Sequence, residues 1–297
     1  KMNYYEEIKN KIIDNEIYSK VKDYSKERNT VNTYFEIGRL LTEAGGKYGD
    51  NIIDEYSKRL VVEVGKKYNR RTLFRMKQFY KVFSDEKVSP MATQLTWSHY
   101  TELLSIKDKN KLLYYLNLAT NNNFSRNELR SRIKSKEYER LSGSAKVKLI
   151  ANEQPRLLDL VKNPILIKNI NKYNEISEKI LQQIILENIE SFMKELGSGF
   201  CFIGKEYPIK IGNNFNYIDL LLFNYEYNCF VVIELKVTRL KKEHIGQIEV
   251  YMNYIDRNLK RFNQDKTIGI IVCRENNEYI IEYCSDKRII ARNYELV

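Results

Sequence analysis

Three ionisable residues are spaced so that a folded chain could gather them. Asp219 lies in the apolar run Tyr217-Ile218-Asp219-Leu220-Leu221-Leu222-Phe223, and Glu234 and Lys236 close the run Cys229-Phe230-Val231-Val232-Ile233-Glu234-Leu235-Lys236. Between them stands the polar stretch Asn224-Tyr225-Glu226-Tyr227-Asn228. Two nearly continuous hydrophobic runs about a short polar loop read as a hairpin buried on both faces. The midpoint of positions 219 and 234 falls between Glu226 and Tyr227, at the centre of that loop. Closure there sets Asp219 opposite Glu234 and Tyr217 opposite Lys236. Opposed residues share a face of the sheet with Cβ atoms about 5 Å apart, and Glu234 and Lys236, two apart on one strand, share it as well. Two buried carboxylates side by side repel each other, and each loses several kcal/mol of hydration, by the usual order of magnitude. A divalent cation between them reverses the sign, with the lysine adding compensation. The bland alternative is a carboxylate of raised pKa paired with Lys236 and no chemistry.

Other kinds of metal site are poorly supplied. Cys201, Cys229, Cys273 and Cys284 are all far apart in sequence, so no zinc knuckle or thioredoxin-like pair is present, and most read as small buried hydrophobes. With only His99 and His244 in the chain, a catalytic ion would be a hard cation on carboxylate oxygens: magnesium, manganese or calcium. A glycine-rich phosphate loop followed by Lys-Ser/Thr is also missing, which argues against nucleotide-driven translocation.

The elements that must position the triad follow from periodicity. A long amphipathic helix is expected from Glu175 to Leu196, ended by Gly197-Ser198-Gly199. Strands are expected at Phe200–Ile203, Tyr207–Ile211, Tyr217–Phe223, Phe230–Val237, Thr267–Cys273 and Tyr279–Cys284. A helix over Glu243–Phe262 turns Ile248, Met252, Ile255 and Leu259 inward. This describes an α/β sandwich around a mixed sheet. The first half reads instead as helices. Asn51–Val64 and Arg71–Phe83 flank Gly65-Lys66-Lys67-Tyr68-Asn69, with Leu73, Met76, Tyr80 and Phe83 as the second helix's buried stripe. Two helices about a short glycine-containing turn, the second basic outside, resemble a helix-turn-helix. Arg70, Arg71, Arg75, Lys77 and Gln78, with Lys81 beside them, are the candidate DNA-contacting residues; a solvated helix surface is the competing reading. A second basic stretch runs from Arg126 to Arg140, opened by Ser125 and Glu128 as a capping box. Ser142-Gly143-Ser144 is the best linker candidate, and the expected domains are 1–150 and 151–297.

Charge divides along the same line. The formal net charge is +11. Residues 1–150 hold 30 Lys+Arg against 19 Asp+Glu, while residues 151–297 hold 20 of each. A genome-wide lysine bias would affect both halves, so the asymmetry favours a polyanion partner for the first. Composition is that of a folded protein, 43% hydrophobic and 12% aromatic. No apolar run reaches the roughly 20 residues a membrane span needs. The segment KMNYYEEIKNKIIDNE has no secretory core, so a cytoplasmic protein is expected.

An aspartate ending one strand and Glu-x-Lys on the next resemble the signature of the PD-(D/E)XK phosphodiesterases, with Ile218 where a proline usually precedes the aspartate. The longer resemblance is to the bacterial YhcG family, in which a helical N-terminal domain precedes such a nuclease domain. It is carried by Glu187-Asn188-Ile189, Leu196-Gly197-Ser198-Gly199-Phe200, Tyr217 to Leu221, Val232 to Lys236 and Gln247 to Tyr251. In the first half Arg70-Arg71-Thr72-Leu73 and Gln94-Leu95-Thr96-Trp97-Ser98-His99 carry it too. Where such chains often place an acid before Tyr-Ile-Asp, this one has Asn216.

The resemblance implies an α+β two-domain protein: an all-α, helix-turn-helix-like domain and a restriction-endonuclease-like α/β domain. It implies Mg²⁺, with Mn²⁺ as the alternative ion, held by Asp219 and Glu234 with the Leu235 carbonyl as a third ligand. Lys236 would orient or deprotonate the attacking water. Glu187, with Glu190 the weaker candidate, would contribute through a water or a second ion, and Gln247 and Tyr251 would support the site from the next helix. A homodimeric DNA endonuclease, favouring duplex and set in phage or mobile-element defence, is the expectation. The rivals are a non-catalytic nucleic-acid-binding or assembly module retaining the fold, and an RNA-directed nuclease.

Overall fold

The structure is a computed structural model that describes residues 3–20, 26–49, 51–84, 95–151 and 153–297. Gln94 of the stretch quoted above lies outside the described residues. The chain divides into two compact units, Lys1–Tyr138 and Glu139–Val297.

The first unit is helical: α1 (Tyr4–Lys20), α2 (Lys26–Tyr48), α3 (Ile52–Glu63), a 3₁₀ turn (Lys66–Tyr68), α4 (Arg70–Phe83), α5 (Trp97–Leu103), α6 (Lys109–Asn122) and α7 (Arg126–Lys134), with α8 (Glu137–Arg140) at the division. Helix starts follow the side chains able to cap them. Asn69 accepts from the Thr72 N–H at 3.2 Å, Asp108 from Lys111 at 2.8 Å and Ser125 from Glu128 at 3.2 Å. One core gathers Ile8, Ile37, Leu40, Ile53, Leu60, Leu73 and Met76, and a second gathers Phe79, Phe83, Tyr100, Leu103 and Tyr115. Gly38 is obligatory where α2 crosses α4, because a Cβ there would stand 2.1 Å from the Met76 carbonyl oxygen. The α3–turn–α4 pair matches the helix-turn-helix expectation in its elements.

The second unit opens with α9 (Gly143–Ile150) and α10 (Leu157–Leu160). The expected linker is therefore structured: the Ser142 hydroxyl caps α9, accepting from Ala145 N–H at 3.0 Å, and donates to the Asp159 carbonyl at 2.9 Å. There follow β1 (Ile165–Ile167), α11 (Glu178–Glu187), α12 (Ile189–Leu196), β2 (Phe200–Ile211), β3 (Asn214–Asn224), β4 (Cys229–Arg239), α13 (Lys242–Asn258), β5 (Asp265–Glu275), α14 (Glu278–Glu282) and β6 (Ile289–Leu296). The six strands form one sheet in the order β1-β6-β5-β4-β3-β2, antiparallel across β2–β3–β4 and parallel from β4 to β1. Leu181, Ile184, Ile185 and Phe192 cover one face over Leu220, Leu222, Val231 and Ile233. Ile248, Met252 and Ile255 of α13 cover the other over Leu221, Val232, Ile271 and Cys273. This is the mixed-sheet α/β sandwich expected, and the whole chain is α+β.

Three local expectations are corrected, and one strand not expected is found. The single helix over Glu175–Leu196 is two, because Asn188 leaves helical geometry (φ −141°, ψ 52°) and caps α12 by accepting from Ser191 N–H at 3.3 Å. The separate strands Phe200–Ile203 and Tyr207–Ile211 are one, with a register shift between Phe202 and Gly204 and a left-handed Glu206 (φ 43°). Tyr279–Cys284, apolar enough to read as a strand, is the short helix α14. The parallel strand beside β5 is instead β6, whose alternating polar residues hid it.

Candidate active site

The β3–β4 hairpin closes where the spacing places it, with Asn224 opposite Cys229 and Leu220 opposite Ile233. Its turn is fixed by Asn224, fully buried. The Asn224 Oδ1 accepts from Glu226 and Tyr227 N–H at 3.0 and 3.1 Å, and its amide donates to the Ser198 carbonyl at 2.9 Å. Gly199 (φ 79°) packs against this turn so closely that a Cβ would meet Asn224 Oδ1 at 2.8 Å. A turn locked this way sets the register of everything beyond it.

The ladder stops at Leu220–Ile233, one pair short of the expected Asp219–Glu234 pairing and three short of Tyr217–Lys236. The Asp219 carboxylate itself accepts the Leu235 N–H at 2.8 Å, taking the donor that a continued ladder would have given to a β3 carbonyl. The strands part here, and the acids stay together.

Burial and charge converge on Glu234, which is 1% exposed. Its Oε1 is buried without a hydrogen-bond partner, and its Oε2 stands 3.5 Å from Lys236 Nζ. Burial first, then the Asp219 carboxylate, push the Glu234 carboxyl up to about 8, against the opposing pull of Lys236. Asp219 is also raised above the usual carboxylate range by burial, opposed by the Leu235 N–H and Lys236. A carboxylate oxygen sealed from water and left unpaired is costly, and a hard cation between these acids would relieve both. Among the described residues, no group of three or more His, Cys, Asp or Glu side chains is gathered as a metal cluster. The arrangement therefore offers two carboxylates, a donor set that suits an ion keeping several of its waters.

Glu187 is not brought to the triad. It is exposed at the end of α11, where it accepts from Tyr173 Oη at 2.8 Å, Asn171 Nδ2 at 2.8 Å and Gln183 Nε2 at 3.1 Å. Those bonds, Tyr173's first, hold its pKa below the usual range. Glu190 is likewise exposed and ion-paired with Lys194 at 2.7 Å. The α11 acid that reaches the site is Glu178, 3.6 Å from Lys236 Nζ. One turn on, Gln182 is buried and donates to the Asp219 carbonyl at 3.1 Å. The signal was present in the helix period. Glu178 precedes Gln182 by four residues and Leu181 by three, so it shares the sheet-facing stripe. Glu187, nine residues or about two and a half turns away, falls on the opposite side.

On α13, Gln247 donates to Tyr251 Oη at 3.0 Å, and Tyr251 is buried in the core beneath. The α13 residue in electrostatic reach of Lys236 and Glu178 is His244, whose pKa is lowered by burial and then by Lys236. His244 carries no signal in the sequence, because it and His99 are too few and too far apart to suggest a histidine metal site.

In the helical unit, Arg70, Arg71, Arg75, Lys77 and Gln78 line a cleft of about 660 Å³ with Phe74 and Lys81. Arg70 pairs with Asp54 and lies 4.6 Å over the Phe74 ring. Lys77 is 7% exposed rather than outward, since it sits one turn from Leu73 on the buried stripe. The Gln78 amide nitrogen donates to the Leu104 carbonyl at 2.9 Å. Arg70, Arg71, Gln78 and Lys81, exposed, and Arg75, half-buried, are what the cleft presents outward. The second basic stretch is largely engaged: Arg126 pairs with Glu102 at 2.8 Å and Arg132 with Glu137 at 3.0 Å. Among the described residues no helix is long and apolar enough to cross a membrane.

Comparison with known proteins places these parts. Residues 158–297 match the model of the YhcG PDDEXK nuclease domain, and residues 8–140 that of the DUF1016 N-terminal domain. The chain is 25% identical over 285 residues to an Escherichia coli (strain K12) protein named "Putative nuclease YhcG", covering 82% of this chain and 76% of that one. Among solved structures it is similar to a repair endonuclease from Pyrococcus abyssi, at 20% identity and a TM-score of 0.29, over 42% of this chain and 49% of that one. An EndoMS–dsDNA complex is similar at 21% identity and a TM-score of 0.29, over 42% and 48%. The chain thus spans about half the length of these solved relatives. PD-(D/E)XK nucleases generally use divalent metal ions. The two domain models, met in chain order and covering nearly all of the sequence, show that the chain belongs to the YhcG-like family, with a DUF1016-type helical domain ahead of a PDDEXK nuclease domain.

Proposed function

We propose that this chain is a Mg²⁺-dependent endodeoxyribonuclease that hydrolyses phosphodiester bonds at Asp219, Glu234 and Lys236. The observation that carries the reading is the buried, unpartnered Glu234 Oε1 beside a second raised carboxylate and a lysine. A bound divalent ion would supply Lewis acidity toward the phosphoryl oxygen and the attacking water. Asp219, Glu234 and the Leu235 carbonyl would hold it, with Mn²⁺ as the alternative ion. Asp219 is kept in place by the Leu235 N–H and by Gln182 on its own carbonyl. Lys236, between Glu234 and Glu178, orients the water by donating to it and offsets charge developing on the phosphate. Glu178, not the Glu187 expected to act through a water or a second ion, is the α11 acid of the site, and it sets the direction of the Lys236 ammonium. Gln247 and Tyr251 act through each other as support on α13.

The helical domain supplies DNA affinity through Arg71, Arg75 and Lys81 of the α4 cleft, by neutralising phosphates without reading bases. A homodimer would let two sites cut two strands, and phage or mobile-element defence is the setting the family resemblance suggests. The test is cleavage of duplex DNA, and of RNA in parallel, by purified protein with Mg²⁺, Mn²⁺ or EDTA. Cutting of DNA that needs the ion and is lost in Asp219→Ala and Lys236→Ala is expected. Activity indifferent to both substitutions would place the chemistry elsewhere. No cutting under any ion would favour the binding-module reading.

A further inference from the structure

Glu234 and Lys236 look toward α13. Alternation along β4 is unbroken: Val231, Ile233 and Leu235 belong to the α11-side core, Phe230 and Val232 to the α13-side core. Glu234 and Lys236 continue the second series. Their parallel neighbours on β5 agree, because Ile271 stands beside Glu234 and Cys273 beside Lys236, and both lie in the α13-side core. The two charged residues extend that face past its apolar part, toward the end of β4 from which the chain turns into α13.

The helix meets that face with one stripe. Ile248, Tyr251, Met252 and Ile255 are buried in the same core, and His244, four residues before Ile248 and seven before Tyr251, heads the stripe. It is half-buried. The charges acting on it most strongly are those of Lys236 and Glu178, ahead of its own helix neighbours Glu243 and Lys241. Its Nδ1 accepts the Lys241 N–H at 3.2 Å, so the neutral ring carries its proton on Nε2. Burial, and after it the Lys236 ammonium, favour that neutral ring. Nε2 has no hydrogen-bond partner among the described residues. Lys236 and His244 thus bring an ammonium and an imidazole N–H to one end of the sheet. Neither can bond the other, since both only donate there. What fits between two donors is an acceptor, and a phosphate oxygen is the acceptor that phosphodiester hydrolysis supplies.

We propose that His244 is a further catalytic residue, whose Nε2–H donates to a non-bridging oxygen of the scissile phosphate from the α13 side of Lys236. This rests on the nuclease reading for the identity of the acceptor. The test separates the ring's two nitrogens. Gln can place an amide N–H where Nε2 stands, and Asn an oxygen where Nδ1 stands. His244→Ala and His244→Asn should each lower kcat/KM by about 10- to 100-fold. His244→Gln should recover to within about fivefold of wild type. His244→Asn keeps an acceptor for the Lys241 N–H and should melt with wild type. Activity that survives in His244→Asn but falls in His244→Gln would make the ring a helix cap and overturn the proposal, as would full activity in His244→Ala. A second readout needs no cutting. The chain has two histidines, and both nitrogens of the other, His99, are engaged by Thr96 and the Phe124 carbonyl. In ¹⁵N-histidine spectra of the full chain with Mg²⁺ and a phosphorothioate duplex, the His244 Nε2 signal should move and those of His99 should stay. A bound duplex that leaves Nε2 unmoved, or a free ring protonated on Nδ1, would also overturn the proposal. Movement of Nε2 in a chain that never cuts DNA would sink the nuclease reading and leave the phosphate contact. Cutting that is lost in Asp219→Ala but intact in His244→Ala would do the reverse.

Discussion

Around Lys236 and along α4 the chain gathers cations for opposite physical reasons. Lys236 is nearly buried among acids that the fold has crowded together, and its ammonium group answers a debt of negative charge. Arg71 and Lys81 stand on a helix surface beside an open cleft, answering to solvent and to whatever anion arrives. The first kind of charge is expensive to build and persists only where something is done with it. The second is cheap, and its worth depends on salt. Chemistry should therefore fail outright when the Lys236 cluster is altered, whereas affinity should erode by degrees when α4 is.

The widest expected contrast tests that division. Lys236→Ala and Asp219→Ala should each lower kcat by about 10²–10⁴-fold while leaving DNA affinity, measured in EDTA, nearly unchanged. Arg71→Ala/Arg75→Ala/Lys81→Ala should do the opposite. Its loss should appear in Kd, about 10- to 100-fold at moderate salt, with the slope of log K against log salt falling by about one for each lysine or arginine that met a phosphate. A triple variant that binds as wild type would reduce the α4 cleft to a solvated surface.

A narrower contrast separates two acids of one helix. Glu178→Gln should lower kcat about tenfold or more and shift the pH profile, because the group beside the Lys236 ammonium has lost its charge. Glu187→Gln should leave kcat within about twofold and cost at most the local bonds to Tyr173 and Asn171. Equal effects, or a larger one at Glu187, would return the assignment to the residue that family resemblance suggested.

That reversal shows what the sequence could and could not carry. The β3–β4 register was readable to the residue because a hairpin has one period, one loop and one midpoint, and Asn224 with Gly199 closes it tightly. The parting of the strands at Asp219 was not readable, since it depends on a side chain competing with the backbone for the Leu235 N–H. Glu178 was legible in principle from the Leu181, Gln182 and Ile185 stripe, but a helix running unbroken through Asn188 offers no single face on which to place it. In the other unit, helical spacing found α3 and α4 but turned Lys77 outward, because a lysine in a buried stripe is against expectation. β6 was missed for the reverse reason: Arg292, Asn293 and Glu295 in Ile289–Leu296 resemble a surface segment, although the strand pairs with β5 on one side and β1 on the other.

The smallest expected effect is thermal and probes the debt itself. Glu234 has its folded-state pKa raised from 4.5 to about 8, chiefly by burial. Below pH 4.5 the carboxyl is protonated in both the folded and unfolded chains and costs nothing. Between 4.5 and about 8 the unfolded chain releases the proton and the folded chain keeps it, so stability falls as pH rises. Asp219, raised from 3.8 by burial, acts in the same direction. In EDTA, Glu234→Gln should therefore track wild type near pH 4.5 and melt higher by pH 8.5, at about 2–4 °C for each kcal/mol relieved in a domain of this size. Saturating Mg²⁺ should invert the order at alkaline pH, because the ion stabilises the ionised wild-type carboxylate and finds one ligand fewer in the variant. Differential scanning fluorimetry from pH 4.5 to 9, with and without the ion, reads both halves. Melting curves that stay parallel across that range, with no crossing on addition of Mg²⁺ or Mn²⁺, would mean that Glu234 is satisfied by Lys236 alone, and the cluster would then be an ion pair of the core.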